Sequence, residues 1–333
     1  MAFDWHKLLD GIEKHASTPE QSRSAAFGEG AVVPLEDLGV IRVHGPDARD
    51  FLHAQLTQDI RQLVDDRWVL SGYCNPKGRL LGLFRVLHND QGFLLLTRQD
   101  LLDGMLRRLR MFVLRSNVSL EDATADNAGI GLIGAATLNS LDELAGSVAE
   151  GPGRVHRAGD LVVITLGGEP DRLLVLAPAD EAKAVWSSLA TGVTVADAGV
   201  WDLLDIIHGL PEIYPSTSEK FVPQQVNLEL LDGIHFRKGC YPGQEVVARM
   251  HYLGKPSRRM FRLSGPAVGA ALPRPGERVT TADGGNAGEV VRAAAGRENT
   301  LELLAVLKLD NRDRQDLTVA GVAVGFGELP YQV

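Results

Sequence analysis

The order of elements along the first two thirds of the chain most limits its fold, because one pattern runs through twice. "LGVIRVHGPDARDFLHAQLTQDI" reads as a strand through Val43, breaks at a Gly-Pro-Asp step, and then sets Ala48, Phe51, Leu52 and Leu56 at helical spacing. "RWVLSGYC" and "RLLGLFRVLH" follow as extended runs on either side of "NPKG", whose Asn, Pro and Gly supply turn chemistry. After a further strand, "QGFLLLT", the segment "DLLDGMLRRLRMFVLRS" puts Leu102, Leu106, Leu109 and Val113 on one helical stripe with arginines between them. From about Ile130 a similar order returns: strand "GIGLIGA", helix "TLNSLDELAG", strands "DLVVITLG" and "DRLLVLA", helix "DEAKAVWSSLA". No residue-level repeat is visible. The likeness is one of architecture, two α+β layers that each place helices on an antiparallel sheet.

The last third reads differently. "WDLLDIIHGLPEI" is a helix through His208, and the passage after it, "PEIYPSTSEKFVPQQVNLELL", is polar, contains prolines and lacks a period. Structureless stretches of that length in compact proteins tend to be functional loops. From about Arg259 short apolar runs alternate with Gly-rich turns ("MFRLSG", "GERVTT", "GNAGEVVRAA", "TLELLAVLKL", "LTVAGVAVGFG"), which is the pattern of a small antiparallel barrel or sandwich. At 333 residues the chain exceeds what one hydrophobic core usually organises. The expected division is an N-terminal α+β module at 1–122, a second at 123–196, a connecting helix and cysteine loop at 197–257, and a β-barrel at 258–333.

Lys and Arg number 34 against 43 Asp and Glu, a net charge of −9, which argues against a protein that coats nucleic acid through bulk charge. Cations are nevertheless concentrated in two places. From Arg237 to Arg259 there are six (Arg237, Lys238, Arg249, Lys255, Arg258, Arg259) against the single acid Glu245. From Lys77 to Arg115 there are eight against Asp90, Asp100 and Asp103. Such segments in an acidic protein suit an anionic ligand or a focused nucleic-acid contact, although a run such as "RRLR" is equally a solvated helix face. The two cysteines, Cys74 and Cys240, form no CxxC pair and suffice for neither a disulfide framework nor a four-thiolate metal site. With no signal-peptide pattern in "MAFDWHKLLDGIEKHA" and no run of ~20 apolar residues, a reducing cytoplasm and no membrane are expected.

The stretch with the most chemistry is "KGCYPGQE", residues 238 to 245. Pro242 and Gly243 sit where a type II turn wants them, so the turn runs Tyr241 to Gln244. If the segment before it is extended, Lys238 and Cys240 project to the same side, and an ammonium there favours the reactive thiolate. The plainer alternative is that a free cysteine is a small buried hydrophobe and the Pro-Gly pair only a turn. Spacing does not separate these readings.

"KGCYPGQEVVAR", with "FVPQQVNLELLDGIHF" before it and "YLGKPSRR" after it, resembles the signature of the folate-binding YgfZ family, relatives of the glycine cleavage system T-protein, an aminomethyltransferase. "FLHAQLTQDI" and "GYCNPKGRLLGLFRV" resemble that family's helix and hairpin. The resemblance implies an α+β multidomain ring of two modules plus a C-terminal barrel, with a tetrahydrofolate-type ligand. It also implies maintenance of iron–sulfur enzymes, including those that thiolate tRNA. Carried onto this chain, Cys240 and Lys238 are the chemical pair. Gly239, Tyr241, Gly243, Gln244, Glu245 and Arg249, together with Thr57, Asp59, Tyr73, Lys77 and Arg79, are the candidate ligand-facing residues.

Two departures bear on chemistry. The T-protein places a catalytic aspartate soon after the hairpin glycine, whereas Gly78 is followed by "RLLGLF" with no acid before Asp90. Aminomethyl transfer lacks its proton-transfer carboxylate. Where both families show Arg-x-Glu-x-Gly, this chain has "DIIHG", with Asp205 and Ile207 at the charged positions, and an isoleucine cannot accept the paired N–H donors of a pterin edge. Two further readings compete with the accessory protein: a one-carbon transferase in which Asp59 or Glu245 replaces the aspartate, and an RNA-contacting module. His235, His251 and Cys240 match no standard zinc spacing, so no metal is expected. A cysteine hydrolase built on Cys240 ranks last, since its partners are defined by geometry.

Overall fold

The computed structural model describes residues 2–9, 17–148, 151–254, 256–267 and 271–333. Lys255 and part of the N-terminal segment discussed above lie outside the described residues. Helices α1 (Trp5–Leu9) and α2 (Pro19–Ala26) lead into strands β1 (Ala31–Pro34) and β2 (Leu38–His44), helix α3 (Ala48–Gln55), strands β3 (Trp68–Cys74), β4 (Leu80–Asn89) and β5 (Gly92–Arg98), and helix α4 (Gln99–Arg110). Next come β6 (Ser119–Asp122), β7 (Asn127–Ile133), α5 (Leu138–Ala145), β8 (Val155–Ala158), β9 (Leu161–Thr165), β10 (Arg172–Pro178), α6 (Ala182–Leu189), β11 (Thr194–Val195) and α7 (Ala198–Ile207). After the long loop follow α8 (Gln244–Tyr252) and strands β12 (Arg258–Pro266), β13 (Arg278–Thr281), β14 (Asn286–Ala295), β15 (Thr300–Lys308), β16 (Leu317–Val319) and β17 (Val322–Gly327).

The chain divides into two compact units. One comprises Met1–Arg49, Gln62–Val69 and Arg85–Trp201. It holds a six-stranded sheet in the order β11-β1-β7-β10-β9-β8. Every pair in that sheet is antiparallel except β1 with β11. Strand β1 comes from far upstream to pair with β7, Ala31 opposite Ile133. One face of the sheet carries Val32, Ile130, Leu132, Val163 and Val175, packed against Leu141 of α5 and Val185, Trp186 and Leu189 of α6. Each such side chain removed from water contributes roughly 1.5–3 kcal/mol.

A five-stranded sheet follows the order β3-β4-β5-β2-β6, with β5 antiparallel to β4 and to β2 and β2 antiparallel to β6. Helix α4 buries Leu102, Leu106 and Leu109 as its spacing predicts, with Met105 beside them, but it stops at Arg110, and Val113 is not helical. Past that point the apolar residues have no core to enter: Met111 and Leu114 are 63% and 86% exposed. The last turn tightens through Phe112 N to Leu109 O at 3.0 Å, and Leu114 turns away at φ 44°.

The other unit comprises Asp50–Arg61, Leu70–Phe84 and Asp202–Val333. Its C-terminal strands close into a six-stranded barrel in the order β12-β15-β14-β13-β16-β17, with β12 and β17 completing the ring. Leu263, Val279, Val290, Leu303, Ala305 and Leu317 fill the interior. A bulge between Val290 and Arg292 shifts the β14 register. Such a bulge re-aims the next side chain. Arg292, 3% exposed, binds Asp205 Oδ2 at 2.9 Å from the last turn of α7 and also pairs with Asp202. Burial opposes its charge, yet the acids hold it well above its usual value.

Candidate functional site: the Cys240 loop

All of the residues gathered here belong to the barrel-containing unit. Helix α3 ends at Gln55, leaving carbonyl oxygens without helical partners. Lys238 takes three of the carbonyls at this end of the helix. Its Nζ donates to Leu56 O at 2.5 Å, to Gln58 O at 3.0 Å and to His53 O. A cation suits the negative end of a helix dipole. Lys238 is 7% exposed, and burial draws its ammonium down to about 8, with Asp59 opposing. The carbonyl acceptors act in the same sense as Asp59, so the group stays charged at neutral pH.

This geometry corrects the extended segment expected before the turn. Residues 236 to 238 form a turn, with Lys238 N to His235 O at 3.4 Å, so alternation does not apply. Lys238 points inward while Cys240 is exposed. An ammonium with three carbonyl acceptors is better solvated there than it would be at the surface rim of a thiol, so the lysine anchors the loop. Tyr241, 7% exposed, lies under it with Nζ 5.1 Å from the ring centroid, and burial raises the phenol well above its usual range.

The turn itself forms as the sequence demands. Gly243 has φ 81° and ψ 2°, and Gln244 N donates to Tyr241 O at 3.1 Å. Gly243 is also in close contact with the "NPKG" turn: a Cβ there would stand 2.5 Å from both Asn75 O and Gly78 Cα. Asn75 organises that turn by accepting Lys77 N at 2.9 Å and Arg79 N at 3.1 Å on its Oδ1. Val246, in the first turn of α8, packs on Gly78. Gln224 Nε2 donates to Val247 O at 2.7 Å and fixes the helix from beneath. Cys240 therefore projects from a loop held by Lys238 on one side and by two interlocked glycine turns on the other.

Beneath Gly239 lies His53, 5% exposed. A Cβ at Gly239 would meet His53 Nε2 at 3.4 Å. His53 Nδ1 is 3.0 Å from Asp59 Oδ1, off the axis of a hydrogen bond, and among the described residues Nε2 has no hydrogen-bond partner. Burial lowers its pKa, Lys238 adds to that, and Asp59 opposes it. The imidazole is held neutral beside the loop.

The remaining sequence candidates are placed as follows. Thr57 is fully buried, donating to Gly233 O and accepting Gly72 N, both at 2.7 Å, so its hydroxyl joins three segments. Tyr73 is fully buried beside Phe84. Cys74 is fully buried, and burial pushes its thiol up to about 12. Lys77 and Arg79 are exposed at the hairpin, Arg79 donating to Lys220 O. Gln244 Nε2 reaches Lys238 O at 3.4 Å, while Glu245 and Arg249 are exposed on α8. Asp205 is bound by Arg292, and Ile207 is half-buried.

Sequence reasoning missed His53, the Asn75 latch, and the stacking of Phe236 on His251 at 3.6 Å. The first is a lone histidine on a helix, with no pattern to mark it. Asn75 had a signal in "NPKG", since an Asn side chain commonly accepts the backbone N–H two residues on.

No protein-family profile matches the chain. It is 32% identical over 298 residues to the tRNA-modifying protein YgfZ of Serratia proteamaculans, covering 88% of each. With the tRNA-modifying protein YgfZ of Pectobacterium carotovorum it shares 30% over 311 residues, 91% of this chain and 92% of the other. The Vibrio vulnificus protein of that name is 33% identical over 246 residues, 74% of each. Among solved structures, the glycine cleavage system aminomethyltransferase T from Bartonella henselae superimposes with a TM-score of 0.76 over 95% of this chain and 90% of its own, at 15% identity. That likeness gives the fold, two antiparallel-sheet layers and a closed barrel, while the identity shared with the curated relatives over most of their length decides the family: this chain belongs to the YgfZ family of tRNA-modifying proteins.

Proposed function

We propose that this chain is a cytoplasmic accessory protein that supports iron–sulfur enzymes, including those that place sulfur on tRNA, and that it acts through Cys240. The observation that carries the reading is the contrast between the two thiols: Cys74 is sealed in the core, whereas Cys240 is exposed on a loop secured at both flanks. A thiolate is the form that attacks or binds a metal, and an exposed, positioned cysteine can offer it to a client. The curated relatives' name supports the tRNA link.

A one-carbon transferase is the weaker reading. No acid follows Gly78 before Asp90, and Asp59 is engaged with His53. The family's folate fits poorly as well, because Ile207 offers no acceptor and Asp205 is neutralised by Arg292. If a tetrahydrofolate-class ligand is held with the pterin contact missing, Ile207→Glu will enlarge the rise in melting temperature that tetrahydrofolate causes. Equal shifts in the two proteins would remove the pterin contact from position 207.

Cys240→Ser in cells lacking their own copy tests the central reading. Loss of iron–sulfur enzyme activity, with the purified variant melting as the parent does, is expected. Full activity would overturn it.

A further inference from the structure

Next to the Cys240 loop three rings stand together at the surface. Phe236 lies flat on His251, centroids 3.6 Å apart and planes 11° apart. Tyr252 meets both edge-on, 4.7 Å from His251 and 6.3 Å from Phe236. Unlike the core aromatics of this unit, Tyr252 is 62% exposed and the following Leu253 83% exposed. Clustered rings left open to water mark an interaction surface.

Charge says what the surface suits. Arg249 precedes Tyr252 by three residues on α8, which places them on one side of the helix, and Leu253 caps its end, with its backbone N donating to Arg249 O at 2.9 Å. Arg237 adjoins Phe236, and the packing of Gly78 on Val246 brings Lys77 to the start of the same helix. Lys77 at the start of α8 and Arg237 and Arg249 thus supply exposed cations along this helix. Arg249, Arg237 and Lys77 are exposed and take part in no ion pair among the described residues, whereas Arg259 is committed to Glu229. Glu245, one turn before Arg249, does not pair with it.

We propose that these residues form a stacking platform for unpaired nucleotides of RNA. Bases stack on the outer face of His251, opposite Phe236, and on the exposed ring of Tyr252, and phosphates are met by Arg249, Arg237 and Lys77. Planar rings flanked by unpaired cations suit a chain of bases and phosphates better than an apolar protein face, which would leave the three charges unanswered. The choice of RNA rests on the tRNA-linked reading above. The stacking surface itself does not.

The test is fluorescence polarisation of the full chain with a labelled single-stranded RNA of about 12 nucleotides across a salt series. Saturable binding at low salt is expected. Tyr252→Ala should weaken it about 5- to 100-fold, as loss of one base stack does. Arg249→Gln should reduce the salt slope by about one. No saturable binding, an unchanged Tyr252→Ala, or equal affinity for duplex RNA would overturn the platform, and equal affinity for the matching DNA strand would overturn the RNA assignment. Cys240→Ser should bind RNA as the parent does, so this test and the complementation test fail separately.

Discussion

Lys238 Nζ donates to the carbonyl of Gln58 at 3.0 Å, joining the cysteine loop to the segment that leaves α3. With Leu56 O and His53 O as its other acceptors, the ammonium closes the end of that helix. Lys238→Met leaves three carbonyls without this donor and should destabilise the chain by about 2–4 kcal/mol. Lys238→Arg should not restore it, because a planar fork cannot converge on three acceptors as a point charge does. Urea unfolding gives the measurement. Parent-like stability of Lys238→Met would mean that the carbonyls are satisfied by water.

Two glycines four residues apart should respond differently to the same substitution. Gly243 combines φ 81° with a Cβ position 2.5 Å from Asn75 O, so Gly243→Ala carries both backbone strain and a clash. A loss of about 2–4 kcal/mol is expected from that combination. Gly239 is exposed, and its Cβ would only touch His53 at 3.4 Å. Gly239→Ala should change stability by about 0.5 kcal/mol or less. Comparable losses in the two variants would show that the interlocked turns do not hold the loop.

The thiols offer a direct count. Iodoacetamide added to the native protein should modify Cys240 alone, because Cys74 is buried and its thiol is raised to about 12. In urea both should react. Mass spectrometry distinguishes one adduct from two, and native labelling of Cys74 would contradict the packing around Tyr73 and Phe84.

What the sequence made legible follows from the range of each interaction. Helical spacing found α3, α5, α6 and α7, and the alternating runs after Arg259 found the barrel, since both signals lie within a few residues. Turn chemistry likewise placed the Tyr241–Gln244 turn. The misplaced end of α4 shows the limit: its apolar stripe runs on to Val113, but only tertiary packing tells where the core stops. Lys238 was misdirected for the same reason. Its acceptors come from residues 53 to 58, far upstream, and no local pattern announces them. The pairing of Arg292 with Asp202 and Asp205 is equally remote.

His53 should make stability depend on pH. Burial and Lys238 lower its pKa below 6.5, so the folded chain keeps the imidazole neutral while the unfolded chain takes up a proton. Between the lowered folded value and 6.5 the unfolded state binds more protons, and stability falls as pH drops through that window. Above about pH 6.5 the contribution is complete. The melting temperature of the parent should therefore decline on acidification from neutral pH, and His53→Gln, which keeps a polar side chain without the titration, should decline less. The neighbouring Asp59 pulls the other way by stabilising the charged ring, so Asp59→Asn should steepen the parent's decline. Identical pH slopes in the parent and in His53→Gln would assign the titration to another group and leave the buried imidazole beneath Gly239 without a role in acid sensitivity.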